Sequence, residues 1–213
     1  MTTQLDCIIK VGGSALTYKT EGNQEVKKDA LRTVAKIMTL CMVKHMKCIL
    51  VHGAGSFGHG SAKQWGLNLG WKGNQKDPDY PEPLNRVKMG FCITHREVLL
   101  LNQMLARELT EHGVQALAQS PVSTWETDYG IVVKHSAEVL ARQVELGFIP
   151  LLHGDTVFDR SWGCHVLSGD TIVEVLSSAM SVKRVIYLTD VCGVYDKPPE
   201  IGRFLHDIGL GVQ

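Results

Sequence analysis

Short apolar runs that end in glycine-rich turns alternate with longer amphipathic segments, and this rhythm limits the fold more than any other feature of the chain. Residues 5–11 and 48–51 are apolar, and glycines follow each run. Residues 26–46 and 87–112 instead carry apolar side chains at helical spacing. Buried strands that alternate with amphipathic helices form a mostly parallel sheet with helices on both faces. We therefore predict an α/β fold, a three-layer α/β/α sandwich with an open, mostly parallel sheet.

The same alternation continues through the second half of the sequence. It predicts strands at 115–118, 149–152 and 185–188, and helices at 137–146 and 171–180. One stretch, 66–83, is rich in Gly, Asn, Asp and Pro, and we expect it to be a surface loop beside the functional site. Neither a repeat nor a linker interrupts the chain. We therefore predict that residues 1–213 form a single domain.

Composition excludes several classes of function. Lys+Arg and Asp+Glu both total 22, so no net field attracts nucleic acid or an anionic membrane. No apolar run approaches the ~20 residues that a membrane helix needs, and the first ten residues lack the pattern of a secretory signal. The six cysteines are scattered without metal-ligand spacing. We expect a cytoplasmic protein with reduced thiols, no membrane and no nucleic-acid partner, and the sequence leaves a homodimer open.

Two glycine-rich segments follow predicted strands. The first is residues 10–14, Lys-Val-Gly-Gly-Ser, and the second is residues 52–59, His-Gly-Ala-Gly-Ser-Phe-Gly-His. Glycines let backbone N–H groups turn toward an anion, and the start of a helix adds a favourable dipole. The pair predicts two adjacent phosphate-binding loops, one for each of two substrates. Turn formation alone is the alternative explanation.

Three further motifs complete an ordered set. They are His-Gly-Asp at 153–155, Leu-Ser-Gly-Asp at 167–170 and Thr-Asp-Val-Cys-Gly-Val-Tyr at 189–195. Together with the two glycine-rich segments, this order resembles the amino-acid kinase family from about residue 8 to residue 200. Within the family, Ser-Phe-Gly-His at 56–59 is similar to the members that phosphorylate isopentenyl phosphate. The resemblance implies ATP and isopentenyl phosphate as substrates and isopentenyl diphosphate, an isoprenoid precursor, as product.

The resemblance also implies a role for individual residues. Lys10, Lys19, His59 and Asp170 would be catalytic: the lysines stabilise the transferring phosphoryl group, Asp170 orients them, and His59 holds the acceptor phosphate. The implied ATP-binding residues are Lys10, Gly12, Gly13, Ser14, Gly55 and Asp190. The implied substrate-binding residues are Ala54, His59, Gly154 and Asp155.

The expected chemistry agrees with these assignments. A phosphate acceptor is already ionised, so the reaction needs positioning and charge neutralisation rather than a general base. The sequence contains no recognisable metal cage, so we expect Mg²⁺ to arrive with ATP and no metal ligands in the protein itself.

Each assignment has a structural alternative. Lys10 and Lys19 could be solvated lysines, and His59 could merely pack beside its helix. Asp155 and Asp170 could be turn and helix-capping residues. We expect His52 to be structural, and the sequence leaves open whether His95, on the long helix, lines the site.

The chain departs from the family pattern in two places. Ala54 replaces a glycine found in many relatives, which is tolerable if its φ stays negative. Residues 201–213 do not resemble the family's ending, and we expect a truncated or alternatively spliced C-terminus that lacks the last βα unit. Two other functions therefore stay open: a kinase of the same fold that acts on a phosphonate or another acid, and a catalytically impaired short isoform. The histidine at position 59 argues against a carboxylate acceptor.

Overall fold

The computed structural model describes residues 3–18, 24–71 and 81–191, together with the strand residues 194–195 and 204–205. The helices are α1 (Gly13–Leu16), α2 (Lys28–Val43), α3 (His59–Gln64), α4 (Pro81–Glu111), α5 (Ala137–Glu145) and α6 (Gly169–Ala179). The strands are β1 (Gln4–Leu5), β2 (Cys7–Val11), β3 (Cys48–His52), β4 (Ala116–Ala118), β5 (Glu126–Asp128), β6 (Ile131–Lys134), β7 (Ile149–His153), β8 (Asp155–Asp159), β9 (Gly163–Leu167), β10 (Ser181–Val182), β11 (Val185–Leu188), β12 (Val194–Tyr195) and β13 (Phe204–Leu205). Short 3₁₀ helices cover Gly55–Phe57, Leu67–Leu69 and Pro121–Ser123.

Five parallel strands form the central sheet in the order β11-β2-β3-β7-β4. The register pairs Lys10 with Val51 on one side and with Tyr187 on the other. It also pairs His52 with His153 at the ends of β3 and β7. Because the strands are parallel, the segments that follow β2, β3 and β7 leave the sheet at the same edge, where open α/β sheets bind their ligands.

Helices cover both faces of this sheet because alternate strand residues point to opposite sides. On one face, Ile9 and Leu50 pack against α2 and α4, through residues such as Met38 and Leu105. On the other face, Ile8 and Ile49 pack against α5 and α6. The prediction of a three-layer sandwich around a mostly parallel sheet is confirmed.

A second, smaller sheet of four strands has the order β6-β5-β8-β9 and was not predicted. Its strands are antiparallel except for the parallel pair β5 and β8. The buried carboxylate of Asp159 connects the turn between β5 and β6 to the turn between β8 and β9. It accepts hydrogen bonds from the N–H groups of Gly130, Ser161 and Trp162 and from the hydroxyl of Thr127.

The expected surface loop at 66–83 is only partly correct. Leu67 is fully buried in a cluster with Phe91 and Cys164, and Pro81 already begins α4. Leu67 and Trp71, which packs against the same cluster, therefore attach the start of this stretch to the core. Residues 72–80 lie outside the described residues.

The expectations for residues 201–213 also fall mostly outside the described residues. The strand residues 204–205 form an antiparallel pair with 194–195, and the other residues of that segment are not described. Among the described helices, none is long and apolar enough to cross a membrane.

Candidate active site

A cavity of about 130 Å³ lies at the edge of the sheet where β2, β3 and β7 end. Seven residues predicted for the site line it: Lys10, Gly13, Ala54, His59, Gly154, Asp155 and Asp170. Gly12, Ser14, Gly55 and Asp190 do not line this cavity, although the first three belong to the adjoining glycine-rich segments. Four of the five sequence motifs therefore contribute residues to one small cavity, and the motif at 189–195 does not.

The two glycine-rich segments contact each other backbone to backbone. We call residues 12–14 the first loop and residues 53–56 the second loop. A Cβ on Gly13 would overlap the backbone of Gly55, and a Cβ on Gly53 would lie 2.8 Å from the N of Gly13. Gly55 has a φ of +54°, in the left-handed region that favours glycine. Ala54 has a φ of −69°, so its methyl group causes no backbone strain.

Lys10 and Asp170 form an ion pair at the C-terminal end of β2. The Nζ of Lys10 lies 2.9 Å from Oδ1 and 3.0 Å from Oδ2 of Asp170, which belongs to the first turn of α6. The N-cap of α6 is Ser168, whose Oγ accepts the N–H of Thr171. Asp170 is thus not the capping residue, and its carboxylate is available to orient Lys10.

Ser14 and Asp190 connect the first loop to the end of β11. The hydroxyl of Ser14 donates to Oδ1 of Asp190 at 2.8 Å. Asp190 borders a separate cleft of about 530 Å³, between the ends of β2 and β11 and helix α2. The ammonium of Lys27 donates to the carbonyl O of Ser14 at 2.7 Å, so a lysine that carried no sequence signal also braces this loop.

His59 is exposed at the first position of α3 and lines the cavity. The lining of the cavity also includes Thr94, a residue of α4 that was not predicted. Thr94 is 2% exposed, and its hydroxyl has no hydrogen-bond partner in the part of the chain that the structure describes.

Asp155 is buried beside the cavity and already has several partners. Its carboxylate accepts a hydrogen bond from the hydroxyl of Ser120 at 2.8 Å and lies 2.7 Å from Nδ1 of His95. It also accepts the N–H of Thr156. The hydrogen bond to Asp155 raises the pKa of His95. Sequence reasoning left the position of His95 open; its imidazole faces Asp155 rather than the cavity.

His52 and His153 are buried and stacked, with ring centroids 5.4 Å apart. Burial, with a contribution from His153, lowers the pKa of His52 to about 4, and burial also lowers the pKa of His153. Each Nδ1 lies close to the carbonyl O of the glycine that follows, Gly53 or Gly154. Both rings are therefore neutral near pH 7 and support the loops structurally, in line with the expectation for His52.

Lys19 lies outside the described residues. Sequence reasoning did not find Thr17, whose hydroxyl forms hydrogen bonds with both loops. An isolated threonine belongs to no recognisable motif. The described residues contain no group of three or more histidine, cysteine or acidic side chains arranged to hold a metal ion.

Comparison with known proteins shows the family of the chain. The sequence profile of the amino acid kinase family matches residues 7–210. The chain belongs to the amino acid kinase family. The matched range includes both glycine-rich loops, Lys10 and Asp170.

Several relatives in this family have the same name. The chain is 34% identical to isopentenyl phosphate kinase of Arabidopsis thaliana, over 91% of this chain and 66% of that protein. It is 29% identical to isopentenyl phosphate kinase of Methanothermobacter thermautotrophicus, over 91% of this chain and 70% of that protein. The chain thus spans about two thirds of the length of these amino acid kinases.

Solved structures of amino acid kinases superpose on the chain. An X-ray structure of isopentenyl phosphate kinase matches with a TM-score of 0.82 at 29% identity, covering 93% of this chain and 80% of that one. A substrate complex of isopentenyl phosphate kinase matches with a TM-score of 0.74 at 27% identity, covering 91% and 75%.

Proposed function

We propose that this amino acid kinase transfers the γ-phosphoryl group of ATP to isopentenyl phosphate, which yields isopentenyl diphosphate and ADP. The observation that carries the proposal is the placement of His59 and Lys10 around one cavity between two glycine-rich loops. The names of the relatives support the choice of acceptor.

In this proposal the two loops divide the substrates between them. The first loop, with Ser14 and its partner Asp190, receives the phosphates of ATP. The second loop, with Ala54, His59 and Gly154, receives the acceptor phosphate. Lys10 lies between the two groups, where its ammonium neutralises charge on the transferring phosphoryl group. Gly13 and Gly55 let backbone approach backbone closely enough to keep both phosphates near that ammonium.

No general base is required, because the attacking oxygen of a phosphate monoester is ionised near neutral pH. Asp170 therefore acts in the proposal through Lys10, whose side chain it holds at 2.9 Å. Asp155 acts through its neighbours, because its carboxylate is already bound by His95 and Ser120. Lys19 keeps its role as a second stabilising lysine in the proposal.

Mg²⁺ is the implied cofactor, and the donor set suits an ion that arrives with the nucleotide. Mg²⁺ commonly keeps several waters and binds one or two carboxylates together with substrate phosphates. In the described chain, Asp170 and Asp190 are carboxylates near the two loops, and neither belongs to a closed cage of acidic ligands. Bound Mg²⁺ would neutralise charge on the ATP phosphates.

The apolar wall of the cavity suits the hydrocarbon part of the acceptor. Ala62, Val98, Val166 and Leu167 line the cavity, and Ala62 and Val166 also belong to the cluster around Phe91. An apolar tail that enters this region would gain about 25 cal/mol for each Å² removed from water.

The remaining expectations belong to the same proposal. A single domain is supported by β7 and β8, which follow each other directly but belong to the large and the small sheet. A cytoplasmic location is supported by the five described cysteines, which are all free thiols. A homodimer stays a prediction.

An acceptor panel tests the proposed function. The purified protein would be incubated with ATP, Mg²⁺ and, separately, isopentenyl phosphate, N-acetylglutamate or a nucleoside monophosphate, and ADP formation would be followed. We expect turnover with isopentenyl phosphate and at least about tenfold less with the others, since a mispaired acceptor loses one or more hydrogen bonds. Preferential turnover of the carboxylate or of the nucleotide would contradict the proposal.

A further inference from the structure

Thr17 connects the two glycine-rich loops through a single hydroxyl group. Its Oγ1 donates to the carbonyl O of Gly13 at 3.0 Å and accepts the backbone N–H of Ser56 at 3.0 Å. Gly13 belongs to the first loop and Ser56 to the second. Thr17 is 1% exposed, so water does not compete for these hydrogen bonds.

The hydroxyl of Thr17 is held in place by its own backbone. The N–H of Thr17 donates to the same carbonyl of Gly13 at 3.0 Å, at the C-terminal end of α1. Thr17 also forms an isolated antiparallel bridge with Val26. The backbone of Thr17 is therefore held on both sides, and this fixes the position from which its side chain contacts the second loop.

The second loop is shaped to fit against Thr17. A Cβ on Gly55 would overlap the hydroxyl of Thr17 and would lie 2.8 Å from the carbonyl O of Gly13. There is no room for a side chain at position 55. The distance between the loops is therefore determined by the two hydrogen bonds of the Thr17 hydroxyl and by this close packing.

We propose that Thr17 is a positioning residue that sets the distance between the two phosphate-binding loops. This inference rests on the proposed function, because it requires one loop to hold the phosphoryl donor and the other the acceptor. Thr17 does not line the cavity, so it acts through the loops. A misplacement of about 1 Å between reacting groups costs roughly 100-fold in rate, so the hydroxyl should affect kcat more than either KM.

The experiment compares three variants with the wild-type protein. Thr17→Val removes the hydroxyl at similar volume, and Thr17→Ser keeps it. Thr39→Val is the matched control, because Thr39 is a half-buried threonine of α2 whose hydroxyl donates to Ala35 and His112, away from the cavity. The readouts are kcat, the KM for ATP and for isopentenyl phosphate, and hydrogen exchange of the Ser56 amide. Thr17→Ala serves as the hydroxyl-free variant if the valine variant does not fold.

We expect Thr17→Val to lower kcat by roughly 10- to 100-fold with KM changes below about threefold, and to speed exchange of the Ser56 amide. Thr17→Ser should restore kcat to within about threefold and restore the protection of Ser56, and Thr39→Val should change neither. Unchanged kcat, unchanged Ser56 exchange, or a kcat loss that serine does not rescue would overturn the inference.

Failure of the proposed function gives a different result. In that case the wild-type protein itself would not phosphorylate isopentenyl phosphate, while the exchange of Ser56 would still report whether the Thr17 hydroxyl joins the loops.

Discussion

The ammonium of Lys10 and the carboxylate of Asp170 lie 2.9 Å apart and connect the end of β2 to the first turn of α6. The two partners differ in exposure: the side chain of Lys10 is 14% exposed, and that of Asp170 is 61% exposed. An ion pair with such an exposed carboxylate contributes little to stability. The ion pair instead holds the mostly buried ammonium of Lys10 at the cavity.

Replacing Lys10 should therefore reduce catalysis without unfolding the protein. Lys10→Met removes the charge and keeps most of the apolar stem, and we expect kcat to fall by roughly 100- to 1000-fold, as when one preorganised donor to a transition state is lost. Asp170→Asn should cost less, because the charge of Lys10 remains. Single-turnover rates would measure both effects. Lys36→Met, on the exposed face of α2, is the control, and a wild-type rate in Lys10→Met would exclude Lys10 from the mechanism.

The contact between His95 and Asp155 should make stability depend on pH. Asp155 raises the pKa of His95 in the folded protein, so protonated His95 stabilises the fold. This stabilisation is complete below the unfolded pKa of about 6.5 and is lost as the pH rises through the higher folded pKa. Urea unfolding of wild type and His95→Gln should therefore differ most near pH 6 and least near pH 9. A difference that is constant over this range would contradict the prediction.

The carboxylate of Asp159 should be a major contributor to the stability of the small sheet. Burial opposes its ionisation, but hydrogen bonds from Gly130, Trp162, Thr127 and Ser161 together lower its pKa. Its stabilisation is present above the unfolded pKa near 3.9 and is lost as the pH falls through the lower folded pKa.

Asp159→Ala leaves these donors without their acceptor, and we expect unfolding by urea at pH 7 to show a loss of about 3 kcal/mol. Asp29→Asn, at a highly exposed position in the first turn of α2, is the control: it removes a solvent-exposed ion pair with Arg32 and should change the free energy of unfolding by less than about 1 kcal/mol. Equal effects of the two substitutions would show that the turns do not depend on Asp159.

Thr94 should show opposite effects on stability and binding. Its buried hydroxyl has no partner among the described residues, so Thr94→Val should raise the free energy of unfolding by about 1 kcal/mol. The same substitution should raise the KM for the acceptor, because Thr94 lines the cavity. Thr39→Val, which removes a hydroxyl that is hydrogen-bonded, should instead destabilise the protein. Lower stability of Thr94→Val with an unchanged KM would contradict both parts.

The large sheet could be predicted from the sequence because local patterns determine it. The apolar runs that became β2 and β3 and the helical spacing in α4 are visible without knowledge of the fold. The small sheet could not be predicted in this way. Its strand β6 is mostly exposed, and its turns depend on Asp159, about 30 residues away from Gly130 in sequence.

The candidate site shows the same division. The two loops could be predicted because glycines directly after each strand are visible in the local sequence. The hydroxyl of Thr17 and the ammonium of Lys27 have roles only once the loops are folded together, so no spacing in the sequence indicated them. Asp155 was predicted beside the acceptor, but its partners His95 and Ser120 come from distant segments.

Whether the cavity beside His59 takes the acceptor phosphate is tested most directly by comparing His59→Ala with the wild-type protein. The measurement is kcat/KM for isopentenyl phosphate at saturating ATP, together with the Kd for ATP from calorimetry. Loss of one hydrogen bond to a charged group costs about 1.5–3 kcal/mol, so kcat/KM should fall by roughly 10- to 100-fold while the Kd for ATP stays within about twofold. Unchanged acceptor kinetics, or a loss confined to ATP binding, would contradict the assignment of this cavity to the acceptor.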